Sequence, residues 1–275
     1  FGGGGKQAIQ GVLTTVSREL TQLKKKQQKH AIARKERRRQ RIKGGARTVG
    51  LAGYTNAGKS SLFHALSGKK VLVEDKLFST LETTVGRMEM SPRILLADTI
   101  GFIDELPSDL LDAFHATLDE SLRCDLLLLL ADSSDETSEL KRKLSTSRRE
   151  VLDRNTGEAL HMKVVLTKSD KGGDIEEAQE VVRTMGLPDA LVVSSHIGQG
   201  LEELRESIMY SLYGPKTTLI VSQGLPGSRS PEAYVSQIYD LGIVTDKIGF
   251  ELTLWCGQAE LQRLIANSEG RVSIK

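Results

Sequence analysis

Gly53-Tyr54-Thr55-Asn56-Ala57-Gly58-Lys59-Ser60 has G-x-x-x-x-G-K-S spacing and lies between an apolar run at 48–52 and an amphipathic stretch at 60–67. Two glycines let the backbone turn inward, so that its N–H groups can surround a polyphosphate at the mouth of the following helix. The order strand, loop, helix is the context this spacing needs, and it argues against a mere glycine turn before an ordinary helix. Backbone dipoles alone cannot balance a triphosphate. Lys59 is therefore expected on the β- and γ-phosphates, and Ser60 is expected to place its hydroxyl on Mg²⁺. Ser61 follows as part of the same cradle.

Outward from this loop, short apolar runs alternate with amphipathic stretches as far as residue 213. Strands are expected at 48–52, 85–90, 94–97, 125–130, 164–167 and 190–193, and helices at 60–67, 106–122, 136–152, 175–185 and 201–212. The strands are almost continuously apolar, which predicts an α/β fold: a doubly wound, mostly parallel sheet with helices on both faces. Ligands in that architecture sit at the carboxyl ends of the strands. After Gly214-Pro215 the expected order is strand 217–222, helix 231–241, strands 243–245 and 250–255, helix 258–267 and a last extended piece at 271–274. That β-α-β-β-α-β order predicts a small ferredoxin-like α+β domain. It carries no chemistry of its own, and docking and a structural cap are equally open roles. The expected domains are 1–46, 47–214 and 215–275.

The net charge of +2 conceals an uneven distribution. Residues 18–43 hold twelve of the 38 Lys and Arg and only two acids, Glu19 and Glu36, leaving 26 bases against 34 acids elsewhere. Ahead of them lie Gly2 to Gly5 and a narrow apolar stripe of Val12, Val16, Leu20 and Leu23 on a segment with helical spacing. A helix this basic is a solvated or disordered linker, or an arm that reads an RNA backbone, and the RNA reading fits the localised charge better. Cys124 and Cys256 stand far apart with no C-x-x-C spacing, which fits a reducing compartment and argues against a zinc site. The longest apolar run, 126–131, is far below the roughly 20 residues a membrane span needs.

Two further motifs end expected strands. Asp98-Thr99-Ile100-Gly101 matches the D-x-x-G of nucleotide switches, with Asp98 expected to hold Mg²⁺ through a water and the Gly101 amide to sense the γ-phosphate. Thr167-Lys168-Ser169-Asp170 fits the [Asn/Thr]-Lys-x-Asp element that reads guanine. A carboxylate at Asp170 can accept from the N1 and N2 donors of guanine, a donor pair adenine lacks. Thr167 in place of the commoner Asn is expected to loosen the tie to the phosphate loop. Ser194-Ser195-His196 stands where a backbone N–H meets the guanine O6, a weak signal that its place relative to the other motifs supports.

The chain resembles HflX-type phosphate-loop GTPases. The resemblance rests on residues 53–63, on Asp75-Lys76-Leu77-Phe78-Ser79-Thr80-Leu81-Glu82, on Asp98-Thr99-Ile100-Gly101-Phe102-Ile103 with Leu106-Pro107, and on Ala113-Phe114-His115-Ala116-Thr117-Leu118. It covers 47–213, and the basic helix resembles that family's helical arm. It implies that Phe78, Ser79, Thr80, Leu81 and Glu82 form a switch and that Thr80 completes the Mg²⁺ shell beside Ser60, with Thr83 and Thr84 as neighbouring rivals. Lys59, Thr80 and Gly101 are the catalytic set this implies. Family members carry an α/β domain ahead of the glycine-rich loop, so 1–46 reads as the remnant of one. In the family an acidic residue usually follows that loop, whereas here Lys6-Gln7 does.

Phe102 stands where many GTPases place the glutamine that orients the attacking water, so hydrolysis is expected to be slow for the chain alone. The function implied is a GTP- and GDP-binding, Mg²⁺-dependent GTPase that docks on the large ribosomal subunit and its RNA through 18–43, in splitting, rescue or late assembly. It is expected to be a monomer that uses no DNA, in the cytoplasm or alternatively a mitochondrion. The competing expectation is a nucleotide-switched regulatory module acting on a protein partner without RNA contact. An ATPase is disfavoured by Asp170.

Overall fold

The structure is a computed structural model that describes residues 46–68, 84–89, 91–98, 101–102, 124–154, 161–223 and 229–275, together with Arg18. The chain divides into two units, Phe1–Ala46 and Arg47–Lys275. The glycine run, nearly all of the basic segment, the switch at 78–82 and the helix expected at 106–122 lie outside the described residues.

The second unit begins with a six-stranded sheet in the order β2-β3-β1-β4-β5-β6. Its strands are β1 (Arg47–Gly53), β2 (Thr84–Met88), β3 (Ser91–Asp98), β4 (Leu126–Asp132), β5 (Met162–Thr167) and β6 (Ala190–Val192). All neighbours pair in parallel except β2 with β3, which are antiparallel at one edge. The turn between those two strands is too short for the crossover a parallel pair requires. β1 lies between β3 and β4, where the winding direction reverses, so the loop after β1 opens into the crevice that doubly wound sheets use for ligands.

β4 shows why the sheet is buried on both faces. All seven of its residues are buried: Leu126, Leu128 and Leu130 enter one apolar cluster, and Leu127, Leu129 and Ala131 enter another. The first cluster is closed by α1 (Lys59–Ser67) and α4 (Leu201–Tyr213), through Leu62, Phe63, Leu66, Leu204 and Ile208. The second is closed by α2 (Thr137–Arg154) and α3 (Ile175–Thr184), through Leu140, Leu144, Val151, Val181 and Val182. α3 starts cleanly because the Asp174 carboxylate accepts from Glu177 N at 3.0 Å.

The C-terminal part follows the expected β-α-β-β-α-β order: β7 (Thr217–Val221), α5 (Pro231–Leu241), β8 (Ile243–Ile248), β9 (Glu251–Trp255), α6 (Gln258–Ala266) and β10 (Val272–Ile274). Its sheet is antiparallel with order β10-β7-β9-β8. β8 runs three residues beyond its expected end because Asp246, Lys247 and Ile248 pair with β9, although their side chains are exposed. Leu219, Leu252 and Leu254 pack with Ile238 and Leu264 in a separate core. Trp255 is the exception. It joins the first cluster of the six-stranded sheet, beside Tyr213, and Arg93 of β3 donates to the Tyr239 carbonyl at 2.9 Å. The C-terminal sheet is thus fastened to α4 and β3 of the larger sheet.

Candidate functional site

The loop between β1 and α1 closes around Lys59. Its ammonium is buried and donates to the Tyr54 carbonyl at 2.9 Å and the Gly53 carbonyl at 3.2 Å. Gly53 is required by close approach, since a Cβ there would stand 2.4 Å from the Leu130 carbonyl oxygen of β4. α1 starts at Lys59 with no acid in its own first turn and no side-chain cap at Gly58, so the positive end of its dipole faces the loop. Ser60 Oγ donates to Asp98 Oδ2 at 2.7 Å, which brings together the two oxygen groups expected on a metal from positions 38 residues apart.

Past Asp98 the chain zips onto the phosphate loop. Phe102 N donates to the Gly53 carbonyl at 2.9 Å, and Thr55 N donates to the Phe102 carbonyl at 2.8 Å. The Phe102 ring, 1% exposed, lies in the core with Ala52, Leu127 and Leu129. Gly101 is buried against Lys59. Thr99, Ile100 and Phe78 to Glu82, Thr80 included, lie outside the described residues.

The base end is built on the tips of β5 and β6. Ser194 is fully buried and donates its one hydroxyl proton to Asp170 Oδ1 at 2.5 Å, while its oxygen accepts from His196 N and Ile197 N at 3.2 and 3.3 Å. That hydrogen bond, more than any other influence, holds the Asp170 carboxyl below its ordinary range. His196 Nδ1 lies 3.7 Å from Asp170 Oδ2, and Ser195 is half-buried between them in sequence. Ser169 Oγ donates to Gln199.

The two ends are joined. Thr167 Oγ1 donates to the Ala57 carbonyl at 2.9 Å and contacts the Ala131 carbonyl at 3.1 Å. The sequence predicts that Thr167 loosens this tie. The tie is present, with the one Thr167 hydroxyl proton shared between two carbonyls.

The family described as 50S ribosome-binding GTPase matches residues 48–168, a span that includes the phosphate loop, Asp98 to Gly101 and Thr167-Lys168. The GTPase HflX of Gluconacetobacter diazotrophicus is 38% identical over 216 residues, which are 76% of this chain and 47% of that protein. The chain is similar to HflX GTPases over about three quarters of its length. The HflX of Methanocaldococcus jannaschii is 36% identical over 77% of this chain and 52% of its own length. A solved GTP-binding protein of Sulfolobus solfataricus in complex with GDP is similar at TM-score 0.55 and 26% identity, over 74% of this chain and 60% of that one. The chain spans about half the length of the curated HflX relatives it matches.

Two expected results follow from the Lys59 end of this site. A methyl group on Gly101 would stand 2.6 Å from Lys59 Nζ and 2.9 Å from Thr55 Cα, and the Thr55 backbone cannot yield. Gly101→Ala is therefore expected to open the zipper at a cost of about 1–3 kcal/mol, a fall of several degrees at roughly 2–4 °C per kcal/mol. Thermal unfolding without nucleotide measures it, and an unchanged midpoint would show that the segment is not clamped.

The second result concerns pH. Burial pushes the Lys59 ammonium down to about 8; the charge of Asp98 works against that and the charge of Lys168 works with it. A bound phosphate stabilises the charged form, so binding takes up a proton once the free ammonium begins to titrate. GDP affinity is expected to be level on the acid side of that value and to fall toward about tenfold per pH unit on the alkaline side. Calorimetry across a pH series checks this, and a flat profile through pH 9 would contradict it.

Asp132, Ser133 and Ser134, which follow β4, belong to none of the motifs read from the sequence, yet all three bond to the tip of β5 or to one another. The available signal was an acid closing the apolar run 126–131, one strand away from the guanine motif.

Proposed function

We propose that this chain is the nucleotide-handling part of a Mg²⁺-dependent GTPase that docks on the large ribosomal subunit and couples its nucleotide state to that contact in splitting, rescue or late assembly. The observation that carries the proposal is the Thr167 to Ala57 hydrogen bond. It holds a base-reading carboxylate, Asp170 with Ser194, at fixed distance from a phosphate cradle made by Lys59 and residues 53–61. Asp170 selects guanine by its acceptor pair. Lys59 neutralises the terminal phosphates, and the Gly101 amide, clamped to the loop, reports on them.

The donor set suits magnesium. Ser60 and Asp98 offer hard oxygens, and among the described residues no group of three or more His, Cys, Asp or Glu could hold a metal. Such a sparse set fits an ion that takes the rest of its shell from phosphate oxygens and water. Ser60, Thr80 and Asp98, the last through a water, would hold it. When bound, it would offset charge building on the β- and γ-phosphate oxygens.

The Phe102 ring cannot align the attacking water by hydrogen bonding, so turnover by the chain alone is expected to be slow. Segment 1–46 is the RNA-contacting arm, 47–214 the GTPase domain, and 215–275 a ferredoxin-like docking domain, a reading supported by its strand order β10-β7-β9-β8. No helix among the described residues is long and apolar enough to cross a membrane. Sedimentation with large subunits at graded salt tests the whole. Co-migration should be stronger with a non-hydrolysable GTP analogue than with GDP and should fall steeply as salt rises. Co-migration that ignores both nucleotide and salt would overturn it.

A further inference from the structure

The left-handed backbone at Lys168, φ 58°, is a conformation non-glycine residues rarely adopt. It turns the side chain off the tip of β5 toward the tip of β4, where Lys168 Nζ donates to Asp132 Oδ2 at 2.6 Å. Asp132 itself cannot swing. Its other oxygen accepts from Ser134 N at 3.0 Å and from Ser134 Oγ at 2.6 Å, and the residue is buried. Ser133 locks the same loop from the other side, with its N and Oγ both donating to the Thr167 carbonyl, at 3.0 and 2.7 Å. Burial by itself would raise the Asp132 carboxyl, but the bonds from Lys168 and Ser134 more than offset it and hold the group ionised.

We infer that Asp132 is a positioning residue for the nucleotide base: it anchors the Lys168 ammonium so that the aliphatic stem is fixed as an apolar wall beside Asp170. The inference rests on the GTP-binding reading above. Lys168 has a stem of four methylene groups, its head is tied to a different strand, and the base-reading carboxylate stands two residues on. An apolar stem with a tethered head is a surface on which a purine face can stack, and a free lysine would lose rotamer entropy on making that surface. Tethering removes that cost before the base arrives. The anchor also keeps the charge of Lys168 paired, which matters because that charge acts unfavourably on Lys59 in the neighbouring phosphate loop.

The test is GDP and GTP binding to the full chain for the parent, Asp132→Asn, Lys168→Ala and the double variant. Each single change removes one charge-assisted hydrogen bond, so affinity is expected to weaken roughly tenfold to a hundredfold, and equally for GDP and GTP, since both carry the same base. The double variant is expected to bind no more weakly than Lys168→Ala alone, because Asp132 acts only through Lys168. In steady-state hydrolysis the loss should fall on KM, with kcat nearly unmoved. A role confined to stability would lower the melting midpoint without this pattern. Binding by Asp132→Asn within about twofold of the parent, or losses that simply multiply in the double variant, would overturn the inference. Should Asp132→Asn fail to fold with its lysine unpaired, the double variant, which buries no lone charge, is compared with Lys168→Ala instead: equality supports the anchor and a further loss refutes it. A parent that binds no guanine nucleotide would instead sink the GTPase reading.

Discussion

Asp170→Asn is expected to exchange the preferred base from guanine to xanthine. The carboxylate offers two acceptors to the two donors of guanine, N1–H and the 2-amino group. Ser194 fixes which oxygen faces where, since its single proton goes to Asp170 Oδ1 while its oxygen is occupied by the His196 and Ile197 amides. An asparagine in the same frame keeps one acceptor and replaces the other with an N–H₂. Against guanine that amide meets another donor; against xanthine it meets the 2-oxo group and the pairing is restored. Guanine nucleotide affinity should fall by roughly a hundredfold or more, because a site built around hydrogen bonds rejects the partner that leaves them unmade. Xanthine nucleotide affinity should rise in the variant. Competition of GDP, xanthosine diphosphate and ADP for the parent and variant reads this directly. If both forms rank the three bases alike, Asp170 does not read the base.

How much of this arrangement the amino acids reveal without coordinates depends on how local each feature is. β4 was legible because an unbroken apolar run can only be buried on both faces, and the phosphate loop because glycine, lysine and serine at fixed spacing have few other uses. The order of the C-terminal elements was legible, but the exposed last three residues of β8 were not. The hydrogen bond that unites the site was not, since Thr167 and Ala57 stand 110 positions apart and nothing in either local pattern names the other. The Asp132 anchor was hidden for the same reason. Trp255 was equally opaque: on pattern alone it belongs to its own sheet, and only tertiary packing places it in the core of the neighbouring one. The antiparallel edge strand β2 followed from the length of a turn, a feature that hydrophobic runs do not encode.

Phe102→Gln is the substitution that separates what the alphabet of the motif suggests from what the fold does with it. A glutamine at this position would, from the motif alone, be expected to recover the water-orienting group and speed hydrolysis. The structure predicts the opposite balance. The Phe102 backbone is bonded through both its N–H and its carbonyl to Gly53 and Thr55, so the direction of its side chain is set by the zipper, and that direction is into the core. A glutamine held there buries a primary amide among Ala52, Leu127 and Leu129, and it cannot replace the apolar packing of the ring. The combined cost is about 3 kcal/mol or more, a fall in melting midpoint of roughly 6–12 °C. The amide can reach the crevice only if the two backbone bonds break, which also releases Gly101 from Lys59. GTP turnover by the variant should therefore not rise above that of the parent, and the midpoint should drop. Faster turnover with an undiminished midpoint would mean that the ring can leave the core freely, and that slow hydrolysis is a property of the phenylalanine side chain rather than of the way this segment is clamped.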